Sequence, residues 1–449
     1  MRKLLILTAI AMALTAHAQD YTWAKDLRHR LLIDFNKSRS EVTDYIKRYI
    51  PDVTDGQLDA WERGKALESM TIDGQKRYFH NAAPNLFRID KACRAIKEAK
   101  DGPFHDGYEE VDRLNVPAIM RHASTATGHR AEPKHMRVTY RLTVKADAVP
   151  AGETVRCWLP FPRRDVKRQS AVKLLRTNCP ARISPAADAH SVLYMEQRAK
   201  AGQPTVFEEQ FSYTVMGEYH RLSATDVQPY DTLSNIYRQF TGEDGRHIVF
   251  TPRLRQLADS LTQGLTNPYL KARNIFTYIT RNYPWASARE YSTIENIPSY
   301  VIDNRHGDCG QVTLLFMTLC RISGIPTHWQ SGFMMHPAHD NLHDWCEVYF
   351  EGVGWVPVDQ SFGIPSYATT DDQRYFFLGG IDSWRLIVNN DYGQPFFSHG
   401  VDSEGKAFNG TKKYPRSETV DFQRGEAEWA GGNLYFDQWS WNIDITYLP

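Results

Sequence analysis

The sequence has few cysteines and no excess of charge of either sign. Six cysteines in 449 residues are too few for a disulfide scaffold, and Cys157 with Cys179 is the only pairing that we consider. Lysine plus arginine and aspartate plus glutamate each number 53, so the formal net charge is zero. No basic field points to nucleic acid, and no polybasic amphipathic helix points to a membrane surface.

Metal-binding patterns are also missing. The chain contains neither an HExxH motif nor paired CxxC spacings. His336, His339 and His343 are close in sequence, but Pro337 breaks the helix that would bring the first two onto one side. We interpret His336 and His339 as part of a loop over a cleft. We therefore expect neither a metal nor a cofactor in the reaction, and chelator-treated protein should keep its activity.

An apolar run is present at the N-terminus. Arg2 and Lys3 precede apolar residues 4–14, and a small-x-small pattern follows at 16–18. This arrangement is typical of a secretory signal peptide, here 1–18, and the run is too short for a stable membrane anchor. We expect the mature chain to start near Gln19 in a secreted or periplasmic space.

The chain should form several domains of mixed class, because 449 residues with 42% hydrophobic content can bury more than one core. We expect an α+β protein. Helical spacing predicts a helical region at 19–130, and alternation with a period of two predicts a β-sandwich at 131–225. A third region at 226–390 precedes a β-rich C-terminal region at 391–449.

Cys309 lies at the start of a predicted helix. Residues 311–322 are apolar with helical spacing, and Gly324 closes the helix. Unpaired N–H groups and the positive end of the helix dipole stabilise a thiolate in the first turn, and they could also hold an oxyanion. Cys320, about three turns along the same helix, is interpreted as a structural cysteine.

A predicted hairpin supplies a base and a carboxylate. Residues 343–350 alternate as a strand, 351–353 form a turn and 354–360 return antiparallel. With an odd number of loop residues, Asp359 shares a face with His343 and lies diagonal to it. The imidazole of His343 is then expected between Cys309 and Asp359, as in nucleophilic catalysis by a triad.

These motifs resemble the transglutaminase-like superfamily, whose core has Gly-x-Cys at a helix start, a His-x-Trp-x-Glu-Val strand and a Trp-x-x-x-Asp strand. The resemblance covers 251–363, and the rest of the chain is loosely similar to secreted bacterial multidomain members. It implies a papain-like fold, a triad of Cys309, His343 and Asp359, and amide chemistry: cross-linking, deamidation or proteolysis.

The resemblance also suggests supporting residues. Family members often use an aromatic or polar side chain before the cysteine to help the oxyanion, and Tyr283, Trp285 and Gln311 are the candidates here. Core packing is the alternative for each of them. Trp345 matches the family strand and is interpreted as supporting the site.

We therefore expect a secreted cysteine enzyme that cleaves amide bonds through a thioester acyl-enzyme, as a peptidase or amidase. Hydrolysis is favoured because water is always present, whereas cross-linking needs a second site for an amine. A protein-glutamine acyltransferase and a catalytically silent binding module are the alternatives. The expected substrate is a protein, peptide or glycopeptide, and the sequence does not indicate an oligomeric state.

Overall fold

The computed structural model describes residues 21–105, 107–337, 339–414 and 422–449. The predicted signal peptide at 1–18 lies outside these residues. Across the described ranges, no helix has both the length and the apolar character needed to span a membrane.

Helices and strands contribute almost equally to the structure, with 31% of residues helical and 30% in strands, which confirms the α+β class. The helices are α1 (Trp23–Asp34), α2 (Arg39–Lys47), α3 (Asp55–Arg63), α4 (Ala82–Ile89), α5 (Lys91–Asp101), α6 (Tyr108–Ala123), α7 (Asn235–Phe240), α8 (Pro252–Thr262), α9 (Pro268–Asn282), α10 (Ile297–Asn304), α11 (Cys309–Ile322) and α12 (Asp371–Arg374).

The strands form a hairpin of two and three larger sheets. They are β1 (Ser69–Ile72), β2 (Gln75–Tyr78), β3 (Arg130–Val144), β4 (Thr154–Pro160), β5 (Gln169–Thr177), β6 (Ala181–Ile183), β7 (Val192–Arg198), β8 (Thr205–Tyr219), β9 (Thr327–His336), β10 (His339–Phe350), β11 (Gly354–Val358), β12 (Gly380–Ile381), β13 (Arg385–Asn389), β14 (Glu426–Trp429), β15 (Gly432–Leu434) and β16 (Trp439–Leu448).

The N-terminal part, α1 to α6 with the β1–β2 hairpin, is mainly helical. Ser38 and Thr54 cap α2 and α3 through capping boxes, which satisfy the free N–H groups of each first turn. The apolar faces of these helices bury Phe35, Ile46 and Leu86 completely. The segments from α1 to α5 therefore have a core of their own, whereas α6 packs into the core that contains α11.

Two five-stranded sheets form the β-sandwich. One has the order β12-β8-β3-β16 with β5 also paired to β8, and the other has the order β15-β14-β4-β7-β6. Trp158, Phe211 and Tyr213 are buried in the core that includes both sheets. The predicted C-terminal strands belong to this sandwich: β16 pairs with β3 over its whole length and β14 pairs with β4.

The third sheet has the order β11-β10-β9-β13 and is antiparallel. The side chains of Thr251 and Asn267 cap α8 and α9, each of which has a proline at its first residue. Helix α11 shares a core with Cys346 and Val348, which point from one face of β10. The opposite face of β10 carries His343 and Trp345.

All six cysteines are free thiols. Cys157 is completely buried and Cys179 is half-buried, so the pairing considered from the sequence is not formed. The β-sandwich is held together by its packed core and not by a disulfide.

Candidate active site

The structure places Cys309 at the first residue of α11, where the helix N-terminus meets a cleft. Asp308 is the N-cap, and its Oδ1 accepts the N–H of Gln311 at 3.0 Å while Gln311 Oε1 accepts the N–H of Asp308 at 3.2 Å. This capping box fixes the first turn. Cys309 is partly exposed, whereas residues 310–321 behind it are buried.

The hairpin of β10 and β11 has the predicted register. Phe350 pairs with Gly354 across a three-residue loop, and Cys346 pairs with Val358. Asp359 therefore follows on the face of His343, and its Oδ2 lies 2.7 Å from His343 Nε2. The prediction that these two residues share a face is confirmed.

Asp359 holds a second cation besides the imidazole. Arg385 Nη1 lies 2.9 Å from Asp359 Oδ2, and the N–H groups of Ser361 and Phe362 donate to Oδ1 at 3.1 and 2.9 Å. Burial acts to raise the pKa of Asp359, but His343, Arg385 and these hydrogen bonds hold it below the usual value. Asp359 is therefore an ionised anchor at neutral pH.

Burial lowers the pKa of His343, and the attraction of Asp359 opposes this effect. Two aromatic rings fix the imidazole: Trp345 is stacked at 6.0 Å between centroids and Phe362 lies at 4.7 Å. Trp345 donates from Nε1 to Gln330 at 2.7 Å. The structure thus places Trp345 beside the His343 ring, in a position where it orients that ring.

The thiol of Cys309 has a different partner from the expected one. Its Sγ donates to Asp344 Oδ2 at 3.3 Å. Asp344 alternates with His343 along β10, so it points toward α11 together with Cys346. Among the described residues, no hydrogen bond joins Cys309 Sγ to the His343 imidazole. The structure brings His343 and Asp359 together and bonds Cys309 to the neighbour of His343.

The surroundings of Cys309 favour the protonated thiol. Burial, then the carboxylates of Asp344 and Asp308, raise the pKa of Cys309 well above its usual value, while a backbone hydrogen bond from Asp344 acts in the opposite direction. Gln423 Nε2 donates to Asp344 Oδ1 at 2.5 Å and so fixes the carboxylate beside the sulfur.

A cleft of about 560 Å³ opens at Cys309. Residues from the helical N-terminal part, from the region of α11 and from the C-terminal strands line it together. They include Arg30, Asp34, His80, Trp285, Arg289, Glu290, Tyr291, Asp308, Cys309, Asp344, Lys412, Gln423, Arg424, Tyr435, Phe436, Trp439 and Trp441. Charges of both signs and large aromatic surfaces thus meet in one cleft.

The three oxyanion candidates lie in different surroundings. Tyr283 ends α9 among core residues, against Tyr278. Gln311 is 1% exposed and its side chain is committed to the helix cap. Trp285 lines the cleft at 40% exposure, with the Arg88 guanidinium 4.6 Å from its ring centroid. Of these three candidates, Trp285 is the one that lines the cleft at Cys309.

The histidines considered as a metal cluster diverge. The prediction that His336 and His339 lie in a loop is wrong: His336 ends β9, His339 begins β10, and the two residues pair with each other. His336 is completely buried, as is most of β9, with Nε2 at 3.2 Å from Asp112 and 3.5 Å from Asp382. His343 faces Asp359 instead.

Asp344, Arg385 and Gln423 belong to the site but were not among the sequence candidates. Asp344 had a usable signal, because strand alternation sets it opposite His343, on the side of Cys346. Arg385 and Gln423 come from distant segments and carry no local signal.

Comparison with known proteins supports the motif-based resemblance. Residues 255–360 match the model of the transglutaminase-like superfamily. An uncharacterized protein of Bacillus subtilis (strain 168), YebA, is 27% identical over 146 residues, which are 27% of this chain and 19% of that protein. The match thus spans about a fifth of that relative's length.

Two solved structures are similar at low identity. A candidate cysteine protease from Cytophaga hutchinsonii is 16% identical with a TM-score of 0.45, covering 71% of this chain and 92% of that one. The periplasmic domain of TgpA from Pseudomonas aeruginosa is 15% identical with a TM-score of 0.25, covering 54% of this chain and 91% of that one. No conclusion about activity rests on these two likenesses.

The motifs around Cys309, His343 and Asp359, the helix and hairpin that carry them and the match to the family model all fall in the same segment. Residues 255–360 of this chain are a transglutaminase-like core.

Proposed function

We propose that the protein is a cysteine enzyme that acts on amide bonds through an acyl-enzyme. Cys309 is the nucleophile, His343 is the general base, and Asp359 orients His343. One observation carries the proposal. The Cys309 thiol stands at a helix N-terminus in a cleft, and the adjoining strand holds a buried imidazole bonded to a carboxylate at 2.7 Å.

In this reaction Sγ attacks the amide carbon and its proton moves to His343. Nε2 of His343 is bonded to Asp359, so Nδ1 is the nitrogen that takes the proton. The N–H groups at the start of α11 stabilise the oxyanion. The imidazolium then protonates the leaving amine, which leaves a thioester on Cys309 for attack by water or a second amine.

The thiol must first leave Asp344. In the resting arrangement Sγ is bonded to the Asp344 carboxylate, and the raised pKa of Cys309 keeps its proton in place. Asp344 and His343 point from opposite faces of β10, so rotation of the Cys309 side chain alone does not bring Sγ to the imidazole. We propose that substrate in the cleft shifts the first turn of α11 relative to β10, so that the thiol leaves Asp344 and reaches His343.

Hydrolysis as a peptidase or amidase is the favoured outcome, because the cleft is open to water and the acyl-enzyme needs no second specific substrate. Transfer to an amine, as in a protein-glutamine acyltransferase, is the alternative. The mixed charges and aromatic side chains of the cleft suit a peptide or glycopeptide. The leader-like pattern at residues 1–18 supports a secreted or periplasmic location for the proposed enzyme.

The test uses the full chain with a panel of peptide, glycopeptide and peptidoglycan-fragment amides, and acid-quenched mass spectrometry of the protein. Wild-type protein should release an amine and carry the acyl group on Cys309. The variants Cys309→Ala and His343→Ala should lose turnover, while Cys179→Ser, a change at another partly exposed cysteine, should not.

Added primary amine separates the two reactions: an amide product indicates transfer, and a carboxylic acid product indicates hydrolysis. Turnover that survives Cys309→Ala would contradict the proposed nucleophile. Ligand binding by wild-type protein without turnover or an adduct would favour a silent binding module.

A further inference from the structure

A second cluster of ionisable side chains lies behind the active site. Asp112 from α6, His336 from the end of β9 and Asp382, which follows β12, meet with at most 1% exposure each. His336 Nε2 lies 3.2 Å from Asp112 Oδ1 and 3.5 Å from Asp382 Oδ1. Three segments distant in sequence thus converge on one buried point.

The dimensions of the cluster suit a small cation. Its three donor atoms all lie within 4.8 Å of one another. Three atoms within 4.8 Å of one another share a point that lies within about 2.8 Å of each, somewhat beyond the zinc–nitrogen and zinc–oxygen distances of about 2.0 to 2.2 Å. Side-chain shifts of a few tenths of an ångström would complete the coordination.

One carboxylate oxygen of the cluster has no hydrogen-bond partner among the described residues. Asp112 Oδ2 is buried and has no hydrogen-bond partner, on a side chain that is 1% exposed. A buried carboxylate oxygen without a partner costs free energy, unless a proton or a cation compensates it. Asp112 Oδ2 therefore offers a fourth donor atom at the same point.

The charges around the cluster are unbalanced. Arg385 binds both Asp382 and Asp359, and His343 binds Asp359. With neutral imidazoles, the direct ion pairs of the three buried carboxylates of Asp112, Asp382 and Asp359 with arginine are, among the described residues, those with Arg385. Such an excess of negative charge is unfavourable in a protein interior, and a divalent cation would cancel it.

We propose that Asp112, His336 and Asp382 bind a divalent transition-metal cation of the zinc class. One imidazole nitrogen with carboxylate oxygens suits zinc, whereas calcium takes oxygen ligands alone. The cation joins the helical N-terminal part to the transglutaminase-like core. Arg385 binds Asp382 as well as Asp359, and none of the three ligands lines the cleft at Cys309. The role of the cation is therefore structural, and it takes no part in the attack on the amide.

The experiment measures metal bound to the full chain after dialysis against a chelator and reconstitution with zinc chloride. Wild-type protein should bind about one zinc per chain and its thermal unfolding midpoint should rise with zinc but not with calcium. His336→Gln and Asp112→Asn should weaken zinc binding by at least about tenfold. His339→Gln, a change at the neighbouring histidine of the same hairpin, should leave binding unchanged.

Cobalt can be bound in place of zinc as a spectroscopic probe. This experiment uses the wild-type protein alone, so it does not depend on whether the variants fold. Visible d–d bands without a sulfur-to-cobalt band in the near ultraviolet would support nitrogen and oxygen ligands. A sulfur-to-cobalt band would assign the metal to a cysteine and overturn the proposal. So would the absence of bound zinc in reconstituted wild-type protein, or an equal loss in His339→Gln.

Discussion

At the residue scale, the central feature is that consecutive residues of one strand serve opposite faces of the sheet. His343 binds Asp359 on one face, and Asp344 binds the Cys309 thiol on the other. The aspartate stabilises the protonated thiol, and the histidine is the proposed base. The movement of the thiol from Asp344 to His343 would set the reactivity of the site.

The first prediction is that Asp344→Asn makes Cys309 more reactive. The change removes the negative charge that, after burial, contributes most to the raised thiol pKa. Alkylation of Cys309 by iodoacetamide at pH 7 should accelerate by about tenfold, which corresponds to a fall of one pKa unit. The rate is followed by peptide mass spectrometry, with Cys179 as the internal control.

An unchanged or slower rate in Asp344→Asn would mean that this carboxylate does not restrain the thiol. The Asp344→Asn variant keeps an acceptor for Gln423, so a general loss of structure is not expected and circular dichroism checks this.

The second prediction concerns Asp359→Asn. In wild type, one oxygen of Asp359 accepts a hydrogen bond from His343 and pairs with Arg385. An NH2 group in its place would face two donors and could accept from neither. We expect turnover to fall, by less than the roughly ten-thousandfold loss of comparable serine enzymes, because a thiolate–imidazolium pair depends less on its third member.

Asp359→Asn also removes one of the two carboxylates that bind Arg385, so that the guanidinium keeps only Asp382. The loss of this ion pair should lower the thermal unfolding midpoint as well, so turnover is measured well below it. Turnover equal to wild type would remove Asp359 from the catalytic assignment and leave a dyad.

At the element scale, the cap of α11 and the register of the β10–β11 hairpin were predictable because both are local. An odd loop length and strand alternation suffice to put Asp359 beside His343. Which face of β10 the helix α11 covers depends on packing between distant elements. The sequence therefore predicted the histidine–aspartate pair but not the bond between Cys309 and Asp344.

The third prediction tests the strand behind His343. Gly332 in β9 pairs with His343 on one side and with Ile387 of β13 on the other, and a Cβ here would overlap the backbone oxygen of Leu386. Gly332→Ala should destabilise the protein by about 2 kcal/mol, because the strands must separate. The free energy of unfolding in urea measures this.

Gly56→Ala is the control for that change, since Gly56 lies in the first turn of α3 and its nearest neighbour would be 3.9 Å from the new Cβ. It should be neutral or slightly stabilising. A stability of Gly332→Ala equal to that of wild type would contradict the close approach of β13 to β9.

At the scale of the whole molecule, the site depends on segments that lie far apart in the chain. Strands β14 to β16 complete the sandwich, and residues near them, including Gln423, also line the cleft. Arg30 and Asp34 reach the cleft from α1. The sequence indicated the regions but not their assembly, because contacts such as Gln423 with Asp344 depend on tertiary packing alone.

The fourth prediction concerns the dependence of stability on pH at the junction of α1 with the cleft. Burial raises the pKa of Asp34 to about 6 and that of the adjacent Glu290 to about 7. The folded protein then binds more protons than the unfolded chain between about pH 4 and pH 7, so stability falls as pH rises through that window.

Asp34→Asn removes one of these groups and keeps an acceptor for the Glu290 N–H. As the pH rises from 4.5 to 7.5, the free energy of unfolding of the variant should increase relative to that of wild type, by up to roughly 3 kcal/mol. Thermal unfolding at both pH values measures the difference. Asp44→Asn, at an exposed position of α2, is the control, and an equal effect of Asp34→Asn at both pH values would contradict the prediction.

The most direct test of the proposed chemistry is the pH profile of Cys309 alkylation by iodoacetamide in wild type and His343→Ala. In wild type, Cys309 should react before Cys320 and Cys346, which are completely buried, and His343 should sustain the reaction near neutral pH. His343→Ala should react at least about tenfold more slowly near pH 7 and approach wild type only where the thiol ionises unaided. Superimposable profiles, or prior labelling of another cysteine, would contradict Cys309 as a nucleophile activated by His343.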